Sequence, residues 1–288
     1  MYSIKQLSVL AGIKPHTIRV WEKRYNLFSP NRTDTNIRRY SEDDLKLALN
    51  VKVLSSIGYK ISRIAGMSHE EKVSIILNEN VHGGPPPVLE SILFAVINMD
   101  KEAFLSKVTW FIREHSFEWF FENMVVPLQT RMGLLWQAGG VSPAQEHFAS
   151  NLLRDIIINE TADLKPVPTS QNKIIFYLPE GELHEIGLLY FNYIALREGY
   201  GTIYLGQSVP LIDMLAVAQK SNINLLFTSI TVSMPENTIE NHFESALKAL
   251  PQVKMFATGR QIQEQPQMLP KEINKISSAT QFVHLLNQ

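Results

Sequence analysis

From residue 172 to 288 the chain alternates short apolar runs with longer amphipathic stretches: "KIIFYLP", "HEIGLLYFNYIALREG", "GTIYLG", "PLIDMLAVAQKSN", "INLLFTSI", "ENTIENHFESALKAL", "VKMFAT", then "INKISS" and "ATQFVHLLNQ". A short, fully apolar run reads as a strand buried on both faces, and the stretches between are long enough to cross back over a sheet as helices. The alternation predicts a doubly wound parallel sheet. In such a sheet, ligands gather beyond the carboxyl ends of the strands. Glu182 and His184 follow the first strand, Ser229 closes the third, and Thr258 and Gly259 follow the fourth. Three loops bearing polar residues or glycine therefore converge on one edge.

Two breaks separate this region from what precedes it. "ENVHGGPPP" at 79–87 combines two glycines with three prolines, which a regular helix does not survive, and "KPVPTSQ" follows at 165–171. Between them, 88–166 reads as four helices, "VLESILFAVINM", "DKEAFLSKVTWFIREHS", "FEWFFENMVVPLQTRMGLLWQAG" and "SPAQEHFASNLLRDIIINETADL", hence a bundle. The predicted organisation is residues 1–78, a linker at 79–87, a bundle over 88–166 and an α/β domain over 172–288.

Residues 1–78 read as short helices, "SIKQLSVLAGI", "KPHTIRVWEKRYNLF", "SEDDLKLALNVKVLSSIGY" and "KISRIAGMSHEEKVSIIL". Leu7, Leu10 and Ile13, then Ile18, Trp21 and Tyr25, have the spacing of faces packed together. The first two helices join tightly at Gly12, as in a helix-turn-helix. Trp21 belongs with that core. "SPNRTDTNIRRY" is polar and turn-rich and carries Arg32, Arg38 and Arg39, while Ser41 caps the third helix.

Charge supports the division. Residues 1–78 hold 13 Lys and Arg against 7 Asp and Glu, leaving 14 against 21 for the remainder. A compact basic segment on an acidic chain points to a polyanion partner, with a solvated charged face as the alternative on composition alone. The chain has no cysteine, so disulfides and thiolate sites are excluded and only oxygen and nitrogen ligands remain. No apolar run approaches the ~18 residues of a membrane span and no signal-peptide pattern opens the chain, so the cytoplasm is the expected location. There is no P-loop, no Ser-His-Asp order and no GxGxxG with a following acidic residue, and no enzymatic activity is expected. His115, His242 and His284 lie on helices without neighbouring ligands and read as core or surface residues.

"YSIKQLSVLAGIKPHTIRVWEKRYNLFSPNRT" followed by "RRYSEDDL" resembles the DNA-binding domain of the MerR family. The resemblance implies a winged helix-turn-helix bound to double-stranded DNA, with His16, Thr17, Arg19 and Tyr25 on the recognition helix and Arg38, Arg39 and Tyr40 in the wing. Arg19 can fork to a guanine edge or grip a phosphate.

The remainder resembles the cobalamin-binding unit of methionine synthase and of light-responsive, cobalamin-dependent MerR regulators of carotenoid genes. That unit pairs a helical cap with a flavodoxin-like domain bearing Asp-x-His-x-x-Gly, then Ser-x-Leu, then Gly-Gly. Here the positions read Glu182-x-His184-x-x-Gly187, then after 41 residues Ser229-x-Thr231, then after 26 more Thr258-Gly259. Glu182, Thr231 and Thr258 depart from the pattern. The resemblance implies that His184 is the lower axial ligand of cobalt, with Glu182 orienting its ring. It places Ser229, Thr231, Thr258 and Gly259 around the nucleotide tail. "LLWQAGGVSPAQEHFAS" is similar to the Trp-x9-Glu-His element of the light-responsive group, which puts Trp136, Glu146 and His147 at the cofactor's upper face.

The function so implied is a cobalamin-controlled repressor. Adenosylcobalamin between cap and sheet stabilises an oligomer, dimer or tetramer, on its operator, and light removes the adenosyl group. Two alternatives stand beside it: a regulator whose cobalamin fold is a cofactor-free interaction module, and a corrinoid-carrying methyltransferase component.

Overall fold

The computed structural model describes the chain apart from residues 34–35, 57, 80–86, 138–140, 165–172, 222 and 236–237. Both expected linkers fall there, except Glu79 and Pro87, which end one helix and begin the next. The described residues form two compact units, Met1–Leu152 and Leu153–Gln288.

In the first unit, α1 (Ile4–Ala11) and α2 (Pro15–Tyr25) meet at Gly12, whose φ is 63°, and Pro15 restarts the helix at its first turn. Strands β1 (Asn31–Arg32) and β2 (Arg38–Arg39) pair antiparallel as a short wing. Ser41 and Asp44 cap α3 (Glu42–Ser56) reciprocally, Asp44 N–H donating to Ser41 Oγ at 3.0 Å and Ser41 N–H to Asp44 Oδ2 at 2.8 Å. The single helix expected from 60 to 77 is two, α4 (Ile61–Ala65) and α5 (His69–Glu79). A capping box between Ser68 and Glu71 starts the second, and that local chemistry prevails over the apolar period.

The bundle follows as α6 (Pro87–Ile97), α7 (Lys101–Glu114), α8 (Phe117–Phe120), α9 (Val126–Gln137) and α10 (Pro143–Ala162). A π-helical turn, Phe121–Val125, interrupts the long helix expected from 117 to 139. Pro127 has no N–H to donate back along the helix, and the widened turn immediately before it absorbs the defect. Phe117, Phe120 and Phe121 are buried, in keeping with the packing role read from "FEWFFE". Leu134 and Trp136 on α9 pack on the apolar clusters of the winged module, where α3 runs against α9.

In the second unit, β3 (Lys173–Pro179), β4 (Gly201–Val209), β5 (Leu225–Ser229), β6 (Lys254–Thr258) and β7 (Asn274–Lys275) form one parallel sheet in the order β4-β3-β5-β6-β7. Helices α11 (Ile186–Arg197), α12 (Leu211–Lys220), α13 (Thr238–Ala249), α14 (Arg260–Glu264) and α15 (Ala279–Leu286) connect and cover it. This is the doubly wound parallel sheet expected, and its winding reverses between β3 and β5. One face is filled by Phe176, Phe191, Phe227, Phe256 and Phe282 in edge and tilted contact. Strand β4 runs three residues beyond the expected "GTIYLG", through positive-φ Gly206 and Ser208 (78° and 50°).

Candidate functional site

The loop leaving β3 carries Glu182 to the point where the winding reverses. Its carboxylate is fully buried and accepts five hydrogen bonds. Oε1 takes the backbone N–H groups of Leu183 and His184, both at 2.9 Å, and the His184 Nδ1–H at 2.7 Å. Oε2 takes the N–H groups of Thr231 and Val232 at 2.6 and 2.9 Å. Burial alone would raise this carboxyl, but the bonds from the His184 ring and from the backbone of His184, Val232 and Thr231 outweigh it and hold it at about 2. Glu182 is thus ionised, pins the loop after β3 to the loop after β5, and fixes the His184 tautomer. With the proton on Nδ1, the ring's lone pair is on Nε2, and the side chain is 57% exposed.

The other expected positions gather around this pair. A Cβ on Gly187 would lie 3.9 Å from Ser229 Oγ, and Ser229 is buried at the end of β5. Gly259 adopts φ 102°, and a Cβ there would meet the Ile230 carbonyl oxygen at 2.3 Å. Thr231 contributes its backbone N–H, and Thr258 turns its hydroxyl to the Ile276 carbonyl at 2.8 Å, beyond β7. The structure therefore assigns Thr258 a bond that braces the sheet.

Sequence reasoning missed the supports of this loop. Ser208 N–H donates to the Glu182 carbonyl, Ser208 Oγ accepts from Gly181 N–H, and Gln207 Nε2 donates to the Leu183 carbonyl. The bulged end of β4 supplies all three, and a bulge has no periodic signature. Glu185 takes Arg154 Nε at 2.7 Å and Tyr204 O–H at 3.2 Å. Burial, and then Glu185 beside it, pushes the Tyr204 phenol up. No local spacing links Arg154 to Glu185. His242 pairs with the buried Tyr177 hydroxyl at 2.8 Å, and burial lowers its pKa to about 4, a core role.

Trp136, Glu146 and His147 belong to the first unit. Trp136 is partly buried against the cluster of Leu7, Ile18, Phe28 and Tyr40. Glu146 accepts from Ser150 Oγ at 2.5 Å in the first turn of α10, with His147 Nε2 3.8 Å away and 73% exposed.

On α2, His16, Arg19, Lys23 and Arg24 are exposed, Thr17 is half-buried beside His16, and Tyr25 is half-buried on the side of Ile18 and Trp21 with Arg24 over its ring. Two wing residues bond inward to α2. Tyr40 is fully buried, edge-on to Phe28, and its hydroxyl donates to Glu22. Burial, then Glu22, raises that phenol to about 12. Arg38 Nε donates to both Glu22 oxygens at 3.0 Å, so its guanidinium anchors the wing to α2. Arg39 is exposed, as a phosphate contact requires. Glu22, one acidic residue on a basic helix, was the signal available in the sequence.

Residues 2–71 match the MerR HTH family regulatory protein family, and residues 88–158 match the B12 binding domain family. The chain is 24% identical over 257 residues to the HTH-type transcriptional repressor CarH of Myxococcus xanthus, covering 87% of this chain and 85% of that protein. To CarA, a second HTH-type transcriptional repressor of that organism, it is 22% identical over 249 residues, with 85% and 82% covered. The monomethylamine corrinoid protein of Methanosarcina barkeri shares the fold, with a TM-score of 0.57 at 13% identity over 69% of this chain and 96% of that one. Among the described residues no helix is long and apolar enough to cross a membrane.

Proposed function

We propose that this chain, which joins a MerR helix-turn-helix to a B12-binding segment, is a cytoplasmic transcriptional repressor whose hold on its operator is set by adenosylcobalamin. The observation that carries the cofactor reading is the Glu182–His184 pair, a buried carboxylate saturated by five N–H donors that leaves the imidazole's lone pair on Nε2. Among the described residues no group of three or more His, Asp or Glu is placed to hold a bare ion. One carboxylate-backed imidazole suits a metal that arrives with its other ligands in a macrocycle. The neighbouring residues suit such a group in one respect: Gly187 sets no side chain against the Ser229 hydroxyl, to which its Cβ position is 3.9 Å.

In this reading His184 would hold cobalt through Nε2 while its Nδ1–H stays bonded to the Glu182 carboxylate, and the Ser229 hydroxyl would hydrogen-bond the nucleotide tail. Trp136, Glu146 and His147 serve the upper face, a role that rests on their sequence motif. When bound, adenosylcobalamin supplies a cobalt–carbon bond that light breaks. The protein self-associates through its later domains, and a ligand that prefers the assembled form shifts the population toward it by its differential affinity. A second reading, a cofactor-free interaction module, is favoured by Thr258, whose hydroxyl is already satisfied by Ile276.

Reconstitution in the dark with adenosylcobalamin, followed by visible spectra and size measurements before and after illumination, separates the two. A bound chromophore and a light-dependent change of size are expected, and a colourless protein would sink the cofactor reading. His184→Ala should move the spectrum to a base-off or water-ligated form, and an unchanged spectrum would rule out axial ligation.

For the DNA-binding half, Glu22→Ala provides a test whose sign is informative. Removing a negative charge beside DNA should by itself tighten binding. Release of Arg38 and Tyr40 should loosen the wing, and we expect weaker binding, by about 1 kcal/mol or roughly five-fold. Tighter binding in a gel-shift titration would show that the wing needs no such anchor.

A further inference from the structure

The outward face of α2 is polar except at one residue. At 100° per residue, His16, Arg19, Lys23 and Arg24 share a face with Val20 near its middle, and all five are exposed, Val20 by 47%. The inward face is accounted for by Ile18, buried at 0%, and by Trp21 packed in the same cluster. Nothing in the core of the winged module therefore requires a branched aliphatic residue at position 20. An isopropyl group in water among four basic or imidazole side chains gains only if the partner offers an apolar spot within a polyanionic surface.

The major groove of DNA has one such spot, the C5-methyl group of thymine. Phosphate oxygens carry charge, and the other base edges are read chiefly through hydrogen-bonding atoms. Valine is also stiff about χ1 in a helix, so little freedom is lost when it is seated. We propose that Val20 reads a thymine methyl in the operator, a base-specific contact flanked by the phosphate or base contacts of Arg19 and Lys23. This rests on the DNA-binding reading above.

The test uses the full chain reconstituted with adenosylcobalamin in the dark, and a duplex enriched by it from a randomised library. Each thymine is replaced in turn by deoxyuridine, which removes the methyl group and keeps the base pair. At one or two positions the wild-type chain should lose roughly four-fold in affinity, the worth of one buried methyl. Val20→Ala should lose about as much on the thymine duplex and be indifferent to deoxyuridine at those positions. Alanine favours helix more than valine does, so folding is not at risk, and circular dichroism would verify this. A Val20→Ala protein that still distinguishes thymine from uracil at every sensitive position, or a wild-type protein insensitive to all replacements, overturns the proposal. Failure to enrich any duplex overturns the DNA-binding reading itself, and the proposal with it.

Discussion

Glu182→Gln should destabilise the Leu153–Gln288 unit by about 3 kcal/mol, although the two side chains have nearly the same shape. The carboxylate accepts on both oxygens: Oε1 from three N–H donors and Oε2 from two. An amide must turn its NH2 group toward one of those sets, leaving two or more buried donors facing a donor, at roughly 1–3 kcal/mol each. The four tryptophans, at 21, 110, 119 and 136, all precede Leu153. Tryptophan emission in urea therefore follows the first unit, and the excess far-UV dichroism follows the second. An early transition in dichroism with unchanged emission is expected, and a shift worth less than about 1 kcal/mol would show that the five bonds are not a keystone. The pH dependence has a definite sign. A carboxyl lowered to about 2 contributes stability in full above its ordinary value of 4.5 and loses it as pH falls toward 2. The difference between wild type and Glu182→Gln should shrink as pH falls across that window.

Gly259→Ala should be comparably severe, and for a steric reason. At φ 102° and ψ 161° the residue occupies a region open to glycine alone, and a Cβ would stand 2.3 Å from the Ile230 carbonyl oxygen and 2.6 Å from its carbon and nitrogen. Those are backbone atoms held from both sides: Ile230 N–H donates to the Thr258 carbonyl at 2.9 Å, and Gln261 N–H donates to the Ile230 carbonyl at 3.0 Å. Nothing can yield without breaking the crossing between β5 and β6, and a loss of about 3–5 kcal/mol, some 10 °C in melting temperature, is expected. Gly187→Ala is the control. Its Cβ would make an ordinary contact, 3.9 Å from Ser229 Oγ, and should change the melting temperature little. Equal melting temperatures for the two variants would refute the steric account.

The contrast between the two glycines shows how the motif was readable and where reading stopped. Both were visible as glycines at fixed distances from His184. Only the path of Ile230 across the sheet edge shows that one is required by the backbone and the other is not. The same holds for the wing: "RRY" was legible, yet Glu22, 16 and 18 residues earlier, turns Arg38 and Tyr40 inward. Trp136 was legible as a residue of interest, but its packing on the winged module depends on α9 meeting α3.

What the sequence determined by itself is the order of apolar runs and helices, and with it the parallel sheet. Parallel strands put every loop that follows a strand on one edge, so Glu182, His184, Ser229 and Gly259 had to gather there whatever the details. Tertiary structure alone decided which groups those residues bond. Glu182 meets Thr231 and Val232 because β5 lies beside β3, and strand order is a property of packing between elements, set by contacts that no local periodicity encodes.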